Sequence, residues 1–311
     1  SFQLMMGVGL HRSGGCVGKA ITGWLPALTW LTMNLGAAIL TVAVLMGLKV
    51  SVIVMFPLTL VGGQMGIWSM ESVIVGFTGI YLVLACMILC YPLLVLKMMF
   101  FGKKRQELVL SERSLNEPGM LGMLLAAATL LLTGLPLVVV GTTLVLALYK
   151  VIPMSLAAWA ADPVVFQYTF FLFAHNLMEA MALMVASATY ATLPLYLADG
   201  SRKLYSEKLA NLALWILLVT PVTSGLHHFI TFYPNQPAAL SYWGNIMSWG
   251  TGMGAAISIF TILATIWQHG LKPEPGIIAV LVGWALYILD GASAIVTSNI
   301  AWTYQLHGTM W

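Results

Sequence analysis

Long apolar runs set the terms for this 311-residue chain: they occupy about 24–48, 71–100, 118–149, 165–198, 209–232, 242–268 and 275–297, with a shorter piece near 51–63. Each of the seven exceeds the roughly 20 residues that a helix needs to cross a bilayer, and none alternates with the period of two that marks a membrane barrel strand. In hydrocarbon the backbone must satisfy its own N–H and C=O groups, which leaves helices as the solution. The sequence therefore predicts an all-α fold: a polytopic transmembrane helix bundle of about seven spans, forming a single domain over residues 1–311. Charge agrees, because Lys, Arg, Asp and Glu make up 7% of the chain, against roughly 25% in an ordinary soluble domain.

The basic residues orient the bundle. Arg12, Lys19, Lys97, Lys103, Lys104, Arg105, Arg113, Arg202, Lys203, Lys208 and Lys272 fall on one side of the spans, and Lys49 and Lys150 on the other. By the positive-inside rule the 101–117 and 199–208 loops face the cytoplasm, across what is expected to be a prokaryotic cytoplasmic membrane. Scattered in this way the cations form no basic face, so no nucleic acid partner is expected. Three cysteines cannot build a disulfide framework. Cys86 and Cys90, four apart in an apolar run, read as small buried hydrophobes.

Against this apolar background the ionisable residues stand out. His227 and His228 are adjacent in the fifth span, and His175 lies in the fourth with Glu179 one helical turn further on. A lone carboxylate in the membrane costs roughly 2.5–3.5 kcal/mol on insertion scales, so a partner is expected, and a metal ion is an economical one. Three imidazoles suit iron, copper or zinc, while an added carboxylate shifts the balance from copper towards iron. The plainer reading is that each histidine hydrogen-bonds a neighbouring helix. Pro221, six residues before the pair, argues for more: a distorted helix can turn two consecutive side chains, normally about 100° apart, towards one centre. The topology puts His175, His227 and His228 together in the outer half of the membrane, with Glu179 about 6 Å deeper.

Other polar groups are sparser. Asp290 in the seventh span is a further intramembrane carboxylate in need of a partner. Ser258, Thr261 and Thr265 share a face in the inner half of the sixth span, and with Tyr190 in the fourth they form a candidate proton path. The alternative is that these hydroxyls bond their own backbones.

These motifs resemble the catalytic subunit of the heme–copper oxidoreductase superfamily, especially its B-type branch. The run from Thr220-Pro221 to His227-His228 resembles the helix carrying two ligands of the non-heme metal. The run from Phe170 to His175, followed by Tyr190 to Pro194, resembles the helix carrying the third, and Tyr190 matches a proton-conducting tyrosine. The segment from Ile295 to Trp311, containing Tyr304 and His307, is similar to the approach to the heme-ligand helix, and His307 matches a histidine beside the heme propionates. The resemblance covers roughly residues 20–311. It implies the central part of a twelve-helix fold without the first and last helices, and two hemes whose axial ligands are not seen in this chain. His11, among Arg12, Ser13, Gly14 and Gly15, reads as a loop residue and not as a heme ligand.

Position 179 separates the chemistries that the resemblance allows. Oxygen reductases of this branch carry a tyrosine four residues after the metal-binding histidine, whereas His-x-x-x-Glu resembles nitric oxide reductases, in which the glutamate ligates a non-heme iron. The resemblance thus implies a non-heme iron held by His175, Glu179, His227 and His228 opposite a heme, with His175 and Glu179 at the catalytic centre. It implies NO as the gaseous substrate and N2O as product. Electrons would come from a donor subunit, cytochrome c, a cupredoxin or quinol, with other membrane subunits as partners. Three alternatives stay open: a terminal oxygen reductase with copper at the same site and O2 as substrate, a heme-free proton or ion transporter, and a non-catalytic paralogue.

Overall fold

The computed structural model describes residues 7, 23–48, 69–101, 117–228, 237–297, 299, 301 and 302. Among them seven helical segments are long and apolar enough to cross a membrane: Trp24–Leu45, Met70–Lys97, Pro118–Leu148, Pro163–Tyr196, Glu207–His228, Ala238–His269 and Pro275–Ser293. Each overlies one of the apolar runs, and no strand occurs among the described residues. The apolar piece near 51–63 lies outside them.

Helices begin where capping chemistry allows. Helix α1 is Trp24–Leu45, and α2 is Met70–Ala85, continued by a π-helical turn at Cys86–Cys90 and by α3, Tyr91–Phe101. Ser69 Oγ accepts the Ser72 amide at 3.1 Å at the start of α2, and Glu71 supplies a negative charge in its first turn. Helix α4 is Pro118–Leu148, α5 is the short Met154–Ala157, and α6 is Pro163–Thr192, closed by a 3-10 turn at Leu193–Tyr196. Asp162 Oδ1 accepts the amides of Val164 and Val165 at 2.9 and 3.1 Å, with Pro163 in the first helical position of α6, where its missing N–H costs nothing. Helix α7 is Glu207–Val219, capped by Ser206 Oγ on the Leu209 amide at 3.2 Å. Then come the single turn α8, Pro221–Ser224, a 3-10 turn at Gly225–His228, α9, Ala238–His269, and α10, Pro275–Thr297. Pro136 sits inside α4 without ending it.

The chain divides into two compact units. One holds α1 to α3, α4 from Ala127, α5, and α6 up to Ala174. Its core gathers Val73, Phe77, Val140, Leu144 and Phe166, each 5% exposed or less. Here α1 and α2 touch backbone to backbone, since a Cβ on Gly36 would stand 2.9 Å from the Gly79 carbonyl oxygen. Such contact requires glycine. Cys86 is fully buried and its thiol donates to the Thr29 carbonyl at 3.1 Å, while Cys90 is half-buried, so Cys86 packs as the sequence led us to expect.

The other unit holds the first turns of α4 and everything from His175 onward. Gly122 of α4 lies against Ser187 and Leu183 of α6, and the Ser187 hydroxyl donates to the Gly119 carbonyl. Trp284 of α10 donates its indole N–H to Thr189 of α6 at 2.9 Å. Helix α9 seats on α7 through a row of glycines: Gly254 faces Leu217 and Gly250 faces Thr220. At the foot of this unit the α6–α7 and α9–α10 connections pair, through an antiparallel bridge between Leu197 and Leu271 and a Lys272 N–H to Tyr196 carbonyl bond of 2.7 Å. Gly270, at a φ of 67°, ends α9 and lets the two connections meet. Both therefore lie on one side of the membrane, as the count of Lys and Arg requires.

Candidate metal centre

The fifth span changes form at Pro221. Proline has no N–H to return to the preceding turn, so α7 stops at Val219, and the chain goes on as the α8 turn and then as a 3-10 segment ending at His228. Thr220 holds the break: its hydroxyl donates to the Ile216 carbonyl at 2.8 Å and lies 3.1 Å from Thr251 Oγ1 on α9. In consequence the imidazoles of His227 and His228 lie side by side, with ring centroids 4.3 Å apart and planes 26° from parallel.

His175 on α6 meets both rings edge-on, with centroids 5.4 Å from each. One ring nitrogen from each of the three lies within 4.8 Å of the others. Three nitrogens bound to one ion at about 2.0–2.1 Å in tetrahedral array stand about 3.4 Å apart, so a small inward movement of these rings suffices to hold it. All three histidines are half-buried, in a stretch where neutral imidazole is the form that binds metal.

Two serines orient the rings. Ser248 Oγ donates to the Gly244 carbonyl at 2.9 Å, so its single proton is engaged and it accepts from His227 Nδ1 at 2.9 Å. Ser224 is placed similarly: it donates to the Pro221 carbonyl at 2.9 Å and lies 3.1 Å from His175 Nδ1 and 3.5 Å from Nε2. A hydroxyl held against the ring in this way orients the imidazole, as partners of metal-ligating histidines do. Gly244 gives this geometry its room, since a Cβ there would stand 2.5 Å from the His227 amide nitrogen. Sequence reading missed Ser224, Ser248 and Gly244, because nothing in an isolated serine or glycine of an apolar run shows which helix it will touch.

The other residues singled out by sequence fall in three groups. Glu179 does not join the cluster within 4.8 Å. It lies one turn along α6 from His175, and its Oε2 is shielded from solvent with no hydrogen-bond partner among the described residues. Tyr190, Ser258, Thr261 and Thr265 are all buried. The Tyr190 hydroxyl faces Ser258, yet neither oxygen makes a bond of proper geometry among the described residues. Thr261 and Thr265 donate to the Ile257 and Thr261 carbonyls at 2.8 and 2.6 Å, the plainer arrangement that the sequence left open. Asp290 is exposed on α10. Tyr304 and His307, the two residues assigned to a heme propionate region, lie outside the described residues, as does His11.

The first unit contains an apolar cavity of about 30 Å³, lined by Phe77, Ile80, Tyr81, Leu84, Leu137, Val138, Gly141, Phe166 and Phe170.

Comparison with known proteins adds one result. The family model described as Cytochrome C and Quinol oxidase polypeptide I matches residues 15–311. No curated protein matches the chain.

Proposed function

This chain belongs to the Cytochrome C and Quinol oxidase polypeptide I family, a membership that makes it a membrane oxidoreductase of heme–copper oxidase type, and we propose that it is the catalytic subunit of a nitric oxide reductase. The observation that carries this reading is Glu179. An unpartnered carboxylate oxygen shielded within a membrane-spanning helix, one turn from a metal-binding histidine, is costly unless a cation completes it. A donor set of three imidazoles and one carboxylate suits iron.

The bound heme and non-heme metal would supply the redox chemistry by which 2 NO, 2 electrons and 2 protons give N2O and H2O. The residues of this chain perform the rest. Ser224 and Ser248 orient the rings of His175 and His227. Glu179, one turn along α6 from His175, either binds the ion or holds a proton for the product water. Tyr190 and Ser258, whose buried hydroxyls face each other unsatisfied among the described residues, begin a proton path that the polar face of Thr261 and Thr265 continues. The apolar cavity suits a small uncharged gas. Electrons come from a cytochrome c, cupredoxin or quinol partner.

A second reading, an oxygen reductase with copper, is favoured by the closed cluster of three imidazoles from which Glu179 stands apart. Iron and copper quantification with NO and O2 consumption assays on one preparation decides between them. Non-heme iron with NO turnover is expected, and one copper per heme pair without non-heme iron defeats the NO reading. Glu179→Gln is expected to lose non-heme iron and NO turnover while the helices stay folded.

A further inference from the structure

The hydroxyl face of α9 does not stop at Thr265. Ser258, Thr261 and Thr265 are followed one turn later, on the same face, by His269, the last residue of the helix. Side chains four apart on a helix have Cβ atoms about 5–6 Å apart, so His269 sits directly below the buried threonine. Its own environment differs from theirs. His269 Nδ1 lies 2.6 Å from Asp199 Oδ2 and 3.1 Å from Ser201 Oγ, with side-chain exposures of 11% for the histidine and 43% for the aspartate. Both partners engage Nδ1, which leaves Nε2 as the nitrogen able to exchange a proton. Backbone bonds clamp the pair in place: Asp199 N–H to the His269 carbonyl and Ala198 N–H to the Gly270 carbonyl, both at 3.3 Å. The Tyr205 amide, from the same connection as Asp199, donates to Thr265 Oγ1 at 3.0 Å and ties that connection to the polar face itself.

We propose that the Asp199–His269 pair is the proton-collecting mouth of the polar face that runs through Thr265, Thr261 and Ser258 to Tyr190. A half-buried imidazole beside an exposed carboxylate joins solvent to a buried hydroxyl row, and its two ring nitrogens let it take up a proton on one side and give one up on the other. The carboxylate keeps its negative charge, held by the Ser201 amide and by His269. The remaining charged side chains of the two connections, Arg202, Lys203, Lys272 and Glu274, make no ion pair with either member among the described residues. The proton enters at Nε2 and moves inward by water and hydroxyl relay over the span from His269 to Ser258, about 16 Å along the helix. This mouth rests on the reading of the polar face as a proton path, so the test treats the two separately.

Proton uptake during a single turnover of the purified complex, followed with a pH-indicator dye, is compared in His269→Gln, Asp199→Asn and Thr261→Val. We expect uptake and turnover in His269→Gln to fall by at least about tenfold. Added imidazole should restore the rate, while heme and metal content and thermal midpoint match wild type. Asp199→Asn, on an exposed loop, is expected to slow uptake in the same sense, and it carries the test should His269→Gln fail to assemble. Wild-type uptake in both of these variants beside a slow Thr261→Val overturns the mouth and leaves the path standing. Wild-type uptake in Thr261→Val overturns the path, and the proposed mouth with it. Slow turnover that tracks a lowered thermal midpoint and does not respond to imidazole assigns the pair a purely structural clamp, and also overturns the proposal.

Discussion

Ser248 of α9 accepts a hydrogen bond from His227 Nδ1 at 2.9 Å while spending its own proton on the Gly244 carbonyl, so one helix both crowds and orients a ligand carried by its neighbour. Loss of that acceptor frees the ring to rotate and to change tautomer. Ser248→Ala is therefore expected to weaken metal binding by about 10- to 100-fold, the range found when a partner of a metal-ligating histidine is removed. Ser248→Thr keeps the hydroxyl and should retain the metal. Metal retained after dialysis against graded chelator measures both.

Gly244 offers a steric counterpart. A methyl group at this position must stand 2.5 Å from the His227 amide and 2.9 Å from the Leu226 carbonyl carbon, both backbone atoms that cannot swing aside. Gly244→Ala is expected to push α9 away from the 3-10 segment, lowering the thermal midpoint and the metal-to-protein ratio together. Gly283 on α10 has open space around the same position. Gly283→Ala should leave metal content unchanged and add up to about 1 kcal/mol of stability from helix propensity. Equal behaviour of the two variants in thermal melts and metal assays would count against the steric argument.

The clamp between the α6–α7 and α9–α10 connections carries its own pH dependence. The Ser201 amide, and then His269, stabilise the ionised Asp199 carboxylate and pull its pKa down from 3.8 to about 2. A lowered carboxylate pKa means that the folded state prefers the deprotonated form, so this contribution is complete above pH 4 and is lost as pH falls towards 2. The protection of the Ala198, Asp199 and Ser201 amides, taken relative to their intrinsic exchange rates at each pH, is expected to fall across that window in the wild type. In Asp199→Asn the fall in protection between pH 4 and 2 should be absent.

The spans and the clustering of the three imidazoles were legible in the sequence for a physical reason: both are encoded in single residues of extreme character. An apolar run longer than the membrane is thick can do little but cross it, and Ser69, Asp162 and Ser206 mark helix starts by chemistry local to each cap. Pro221 announced the distortion that brings His227 beside His228. What stayed hidden depends on distances between helices. Ser224, Ser248 and Gly244 earn their roles from the groups opposite them, and the π turn at Cys86–Cys90 leaves no compositional trace. His269 drew no attention in the sequence, because it is the antiparallel pairing of Leu197 with Leu271 that brings Asp199 to it. The polar face of α9 was visible as spacing, yet spacing could not show that Thr261 and Thr265 satisfy themselves on their own backbone while Tyr190 and Ser258 do not.

Pro221 gives the most direct test of how the sequence shapes the centre. As alanine it regains an N–H that can donate one turn back, and its ring no longer clashes with the carbonyl four residues before. Helix α7 can then run on through Ser224 to His228 with 3.6 residues per turn, which sets the two imidazoles about 100° apart around the axis. They cannot then lie side by side with centroids 4.3 Å apart, and the Ser224 hydroxyl loses the proline carbonyl geometry that holds it against His175. Pro221→Ala is expected to keep or raise helical content by circular dichroism while losing the metal, so that stability and metal content move in opposite directions. Retention of stoichiometric metal in a fully helical variant would show that the break at residue 221 is not what brings the pair to the ion.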